Sequence, residues 1–227
     1  VATLAPGATQ TLTLTVPVTA TGATVSASIT ASSVPDSNLG NNTDTSVSSA
    51  LFADLTSSVD LPVNAAAGSV VTVTATFTNS ATGATATTAT SATGTVVLSD
   101  GTTQTFALGD LAPGASATRS FTATVPSSTA TTLLSATSTV ATSTPESNTA
   151  NNVGTDTLVV LFADPAVDVG VIPSGVPGAT VTTTLSLTNN GSATTSITVT
   201  VSINGSLTTV VATLAPGATQ TLTLTVP

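Results

Sequence analysis

Apolar and small polar residues alternate along most of this chain, at the period of two that sends successive side chains to opposite faces of a strand. The clearest run is GSVVTVTATFTN at 68–79, where Val71, Val73, Ala75 and Phe77 alternate with Thr72, Thr74, Thr76 and Thr78. This predicts a strand with one face on a core. VPGATVTTTLSLTNNG at 176–191 repeats the pattern, and ITVTVSING at 197–205 follows it as another strand. Val25, Ala27 and Ile29 predict a strand within 18–33, and further strands are expected at 45–52, 131–142 and 157–162. Segments 95–98 and 102–108 flank Ser99-Asp100-Gly101, and Asp-Gly between apolar runs is a strong hairpin signal. Residues 81–93, made of small side chains, read as an edge strand with loops.

Superimposed on the alternation is a repeat. VATLAPGATQTLTLTVP occupies 1–17 and returns unchanged at 211–227, while LFAD stands at 51 and 161, PDSN at 35 and PESN at 145. Strands tolerate many Thr and apolar exchanges, so an identity of this length points to a duplicated unit. The expected division is a C-terminal part of a shorter module at 1–52, holding the last three strands of a sandwich, then a complete module at 53–162 and the N-terminal part of the next shorter module at 163–227. Both ends then fall inside a sandwich, which favours a unit continuing past each end over strand exchange, since exchange would leave one strand in duplicate.

Composition sharpens the class. Thr contributes 55 of 227 residues, charged residues are only 5%, and mean hydropathy is +0.49. The abundance of β-branched Thr and Val favours strands, so the chain is expected to be all-β. There is no Cys, His, Lys, Met, Trp or Tyr, and Arg119 is the single basic residue in a net charge of −9. That balance leaves no electrostatic grip on nucleic acid or anionic lipid. No apolar run approaches the roughly 20 residues that span a bilayer, so membrane insertion is not expected. With one trypsin-type site and no easily oxidised Cys, Met or Trp, the composition suits an extracellular or cell-surface setting.

The order G-x-x-V-T-x-T, T-N, L-A-P-G-A and P-[DE]-S-N-x-x-N-N resembles the bacterial surface modules known as DUF11 and CARDB (cell adhesion related). The second strand is GSVVTVTATFTN and GATVTTTLSLTN, LAPGA stands at 4, 111 and 214, and the closing turn begins at Pro35 and Pro145. The resemblance implies tandem immunoglobulin-like antiparallel β-sandwiches of about seven strands each, strung on secreted or surface-anchored proteins without a catalytic role.

Candidate chemistry is sparse. Asp36, Asn38, Asn42 and Asp44, with Glu146, Asn148, Asn152 and Asp156 in the other closing turn, offer oxygen ligands of the type Ca²⁺ takes, but their spacing is not that of a calcium loop. Asn and Asp at such positions ordinarily bond their own backbone. Asp54, Asp60, Asp164 and Asp168 near the module junctions are read as solvated carboxylates. Without His, Cys, Lys or Tyr no strong base or activated nucleophile is available, so no enzyme and no cofactor is expected. A Thr ester through Gln104 or Gln220 remains only a formal alternative. Asn41, Asn190 and Asn204 stand in N-x-[ST] sequons and are candidate acceptors for sugar. Phe52, Phe77, Phe106, Phe121 and Phe162 are the only aromatics, read as core. Strand edges normally carry Lys, charge or Pro against association, and here almost no charge is available. The chain is therefore expected to pack against copies of itself, as the repeat unit of an extracellular filament, sheath or stalk, the alternative being a ligand-binding adhesin repeat.

Overall fold

The computed structural model describes residues 3–227. Its strands are β1 (Ala23–Ser28), β2 (Thr43–Ser48), β3 (Leu55–Asp60), β4 (Asn64–Ala66), β5 (Val70–Asn79), β6 (Ala89–Leu98), β7 (Thr103–Leu111), β8 (Ser116–Thr124), β9 (Thr132–Ala141), β10 (Val153–Leu161), β11 (Pro165–Val169), β12 (Val181–Asn189), β13 (Thr195–Ile203), β14 (Ser206–Leu214) and β15 (Thr219–Val226). The one helical element among the described residues is a 3-10 turn, Leu39–Asn41. None is long and apolar enough to cross a membrane as a helix. The protein is all-β, as the alternation and Thr content predict.

Strands β3 to β10 make a two-sheet sandwich. One sheet runs β4-β10-β9-β6-β7 and the other β3-β5-β8. Period-two burial is clean in β5, where Val71, Val73, Ala75 and Phe77 are buried between less buried threonines. Their faces meet Leu55, Val96, Leu98, Leu134, Leu158 and Val160 in one core. Each buried Val, Leu or Phe contributes about 1.5–3 kcal/mol, a sum that can stabilise the sandwich without a disulfide. On the outer face, Thr74, Thr76 and Thr78 pair with Ser120, Thr118 and Ser116 at 3.0, 3.2 and 2.7 Å.

The expectation for 81–93 is corrected in part. Residues 81–88 are loop, but 89–93 enter β6, which lies between β9 and β7 and is not an edge. A bulge between Ala89 and Ala92, with Ser91 at φ 52°, breaks the alternation that would have shown a central strand.

Residues 163–227 form only part of such a sandwich. The sheet β11-β12-β15 repeats β3-β5-β8 pair for pair: Val181 faces Val226 as Val71 faces Ala123, and Val169 faces Leu185 as Val59 faces Ala75. Opposite it stands the hairpin β13-β14 alone. The core contracts to Leu185, Leu187, Ala212 and Leu214, with Ile197, Val199, Val201, Val210, Leu222 and Leu224 partly covered.

Residues 18–52 hold one antiparallel hairpin, β1-β2. Ala23 faces Ser48 and Ser28 faces Thr43, as Leu134 faces Leu158 and Thr139 faces Val153 in β9-β10, once the extra residue between Ile29 and Pro35 is allowed for. The third strand expected in 1–52 does not form. Residues 3–18 carry no strand and are exposed throughout, while Val1 and Ala2 lie outside the described residues. The same sequence at 219–226 is strand because β12 offers it a ladder.

Candidate functional site

Each closing turn is built by its own side chains. In the first, the Asn38 N–H donates to Asp36 Oδ1 at 2.9 Å, Asn42 Nδ2 to Asp36 Oδ2 at 3.0 Å, and the Gly40 N–H to Asn38 Oδ1 at 3.1 Å. The backbone donor of Asn38, and then Asn42, hold the Asp36 carboxyl below its ordinary range. Asp44 accepts from the Thr45 N–H at 2.9 Å.

The second turn also reaches across the sandwich. Asn152 Nδ2 donates to Glu146 Oε1 at 3.0 Å, and the Leu55 N–H at the start of β3 donates to Glu146 Oε2 at 3.0 Å. Asn151 Nδ2 donates to Asp54 Oδ1 at 2.9 Å, while Asn148 Oδ1 receives the Ala150 N–H at 3.0 Å. Asp156 accepts from the N–H groups of Leu61 at 2.7 Å and Thr157 at 2.8 Å. In Asp36, Glu146 and Asp156 both carboxylate oxygens already serve the fold. Among the described residues, no group of three or more His, Cys, Asp or Glu is placed to hold a metal ion.

A pair of residues that the sequence patterns contain but do not mark proves central. Asn79 is fully buried at the end of β5: its Nδ2 donates to the carbonyls of Thr87 (2.9 Å) and Leu111 (2.8 Å), and its Oδ1 accepts from Asp54 N and Ala81 N, both at 3.2 Å. Its backbone meets the LAPGA loop, bonding Ala115 O and Gly114 N. Asn189 does the same for the last module, with Nδ2 on Ala193 and Leu214 carbonyls, Oδ1 on Asp164 N and Gly191 N, and backbone bonds to Ala218 O and Gly217 N. The T-N ending of the long strand was the available signal. A buried side-chain amide with four bonds locks a loop that apolar packing alone would leave free.

The sequons fall on three separate turns. Asn41 ends the 3-10 turn, Asn190 follows β12, and Asn204 forms the β13-β14 turn at φ 49°, its Nδ2 on the Pro227 carbonyl at 3.0 Å. All three are exposed. Asp60, Asp168, Gln104 and Gln220 are exposed on strands and join no cluster. Phe77 lies in the core, Phe106 and Phe121 pack against that core and are tilted to each other with ring centres 6.3 Å apart, and Phe52 and Phe162 are half-buried.

One concave surface lies in the last module. A groove of 390 Å³ opens between β11-β12-β15 and β13, lined by Val167, Val169, Leu185, Val199, Val201 and Leu224 among others. Its lining is mostly apolar, and among the described residues the edge of β13 that borders it is unpaired. In the complete sandwich this space is occupied by β9 and β10. Their presence leaves Val59 8% and Leu61 5% exposed, whereas Val169 and Val171 at the same places are 56% and 91% exposed.

Residues 52–156 match the CARDB family model. Among solved structures the chain is similar to the CARDB domain of a protein from Pyrococcus furiosus. The solution NMR structure of that domain shares 19% identity over 48% of this chain and 96% of its own, with a TM-score of 0.41. A crystal structure of the same domain in complex with di-metal ions shares 19% identity over 49% of this chain and 91% of its own, at a TM-score of 0.40. No curated protein matches the chain. The part of the chain that builds a full two-sheet sandwich is accordingly a CARDB-like, immunoglobulin-like module, the family its motifs resemble.

Proposed function

We propose that this chain is a structural repeat unit of an extracellular filament, sheath or stalk, held together by contacts between copies of itself. The observation that carries the reading is the state of its edges. β14 and β15 contain no charged residue, and among the described residues the outer edge of each is unpaired. Uncharged edges of alternating Thr and Val are templates for another chain, and proteins that must stay apart blunt them. The role is mechanical: ladder hydrogen bonds within each sandwich carry load, and edge contacts between copies pass it on. Placement outside the cell follows the same composition, which offers little to trypsin-like proteases or oxidants.

Light scattering across a concentration series, followed by electron microscopy, tests the reading. Growth in mass with concentration, and elongated particles, are expected. A chain that stayed monomeric at high concentration would sink it, and monomers that bound glycan or protein ligands would put an adhesive role in its place.

A further inference from the structure

The single basic residue of the chain lies on an edge strand of the complete sandwich. Among the described residues β8 has β5 as its one strand neighbour, so its outer edge is bare by the topology of the module. Ala117, Arg119 and Phe121 form the core-side row of β8, and Arg119 is half-buried there. Ala115 and Val125 bond toward the β5 side, at Asn79 and Ser69, and the register between them is unbroken. Successive residues of an antiparallel strand bond to alternate sides, so the N–H and C=O of Thr118 face the bare edge. The Arg119 guanidinium turns back onto that edge, where Nη1 donates to the Thr118 carbonyl at 3.0 Å. A charge on the inner row and a side chain laid over an edge carbonyl both obstruct the addition of another strand.

β15 holds the same place in the next module, and its edge has no such guard. Leu222 faces Leu185 as Arg119 faces Ala75, so a leucine stands where β8 has its arginine. The Asn189 N–H donates to the Ala218 carbonyl and the register runs on unbroken, which turns Thr219, Thr221, Thr223 and Thr225 toward the outer edge. We propose that this edge is the contact between copies: β15 of one chain pairs antiparallel with β15 of a second copy about a two-fold axis, while Arg119 keeps β8 out of such contacts. The contact rests on the self-assembly reading and specifies where copies meet.

The alternation fixes the register. Outward residues must oppose outward residues for ladder bonds to form, and all four threonines are used only when Thr221 faces Thr223 and Thr219 faces Thr225 of the second copy. Leu222 then lies on the axis, opposite itself. The occupant is a second copy because the strand is complementary to itself. Its outward row brings Thr against Thr, the combination that already bonds between β12 and β15 at Thr188 and Thr219, 2.9 Å apart, and its other row carries no charge. Such an isologous contact uses the same patch on both partners. The same arrangement of β8 would set Arg119 directly against Arg119, and like charges so placed disfavour pairing.

The chain has no cysteine, so introduced thiols report on one contact at a time. Thr221 and Thr223 are both exposed. T221C and T223C variants mixed under mild oxidant are expected to give a linked heterodimer in several-fold excess over either homodimer, because opposed side chains lie nearer than diagonal ones. Mass spectrometry of the linked peptides identifies it. Light scattering over a concentration series then compares wild type with T223P, which removes an outward N–H and leaves the β12 ladder whole, and with R119L, which removes the guard. T223P is expected to stop assembly while its urea midpoint stays near that of wild type, and R119L to lower the concentration at which assembly begins. An unchanged onset in R119L overturns the guard role. If wild type assembles but the cysteine mix gives no excess heterodimer, the β15 contact is wrong and the assembly reading stands; this arm decides even if T223P fails to fold. If wild type stays monomeric and nothing cross-links, both fall.

Discussion

Asn79 and Asn189 are the residues on which each sandwich turns most sharply, because four side-chain bonds converge on a buried amide at each. Asn79→Ala is expected to cost roughly 2–4 kcal/mol, since two carbonyls and two N–H groups lose their partner out of reach of water. Urea unfolding of the full chain measures it. A second residue-scale test concerns Phe77, whose ring lies where a side chain on Gly94 would have to go. At the same places the last module has Leu187 and Val199, a smaller residue against a larger one. Gly94→Val alone is expected to destabilise by about 1–3 kcal/mol through overpacking. Adding Phe77→Leu is expected to recover most of it, with a coupling of about 0.5–3 kcal/mol in the double-mutant cycle. Of these residues the alternation marks Phe77 as core. It could not mark Asn79, since Asn at a strand end reads as turn, nor Gly94, whose partner is 17 residues away in sequence.

Among the elements, the closing turns show how far local chemistry reaches. Asp36 is bonded in its turn by Asn38 and Asn42, which lower its pKa. A carboxyl lowered on folding adds stability above its unfolded pKa, about 3.9 for Asp, and this support is lost as pH falls through the folded value. The β1-β2 hairpin is therefore expected to loosen in acid below that range, and an Asp36→Asn variant to show a weaker acid transition in the NMR shifts of 36–44. Glu146 serves a larger purpose, because it also satisfies Leu55 N–H, whose residue is fully buried. Glu146→Ala is expected to cost about 1–3 kcal/mol for that unpaired donor, with added Ca²⁺ leaving the unfolding midpoint of the wild-type chain unchanged.

At the scale of the molecule, net charge opposes association while the uncharged edges favour it. Copies each carrying −9 repel one another, and that repulsion is screened over about 10 Å at 0.1 M salt. Assembly is thus expected to begin at lower protein concentration as salt rises, the reverse of a contact held by ion pairs. Scattering onset across a salt series decides between them. The complete sandwich was legible as strands, turns and repeat order where a strand keeps its period, as β5 does, and not at the start of β6, where a bulge breaks it. That 163–227 carry only part of a module was legible from the repeat. Its groove and bare β13 edge needed the pairing of strands to be seen.

LAPGA separates the two kinds of information. All three copies form the same tight turn, with Ala8, Ala115 and Ala218 bonded three residues back at 2.9, 2.9 and 3.1 Å and with Gly7, Gly114 and Gly217 at positive φ. Pro and Gly at adjacent positions settle that turn locally, so sequence by itself determines it. The hairpin register of β1-β2 is likewise set by its turn and alternation, without a core beneath it. The residues that follow LAPGA behave otherwise: identical at 9–16 and 219–226, they are strand only in the second place, where β12 supplies the ladder and Asn189 anchors the loop. A turn closes its hydrogen bond within four residues, but a strand must find its partner elsewhere in the fold, so only tertiary structure decides whether the same sequence becomes one.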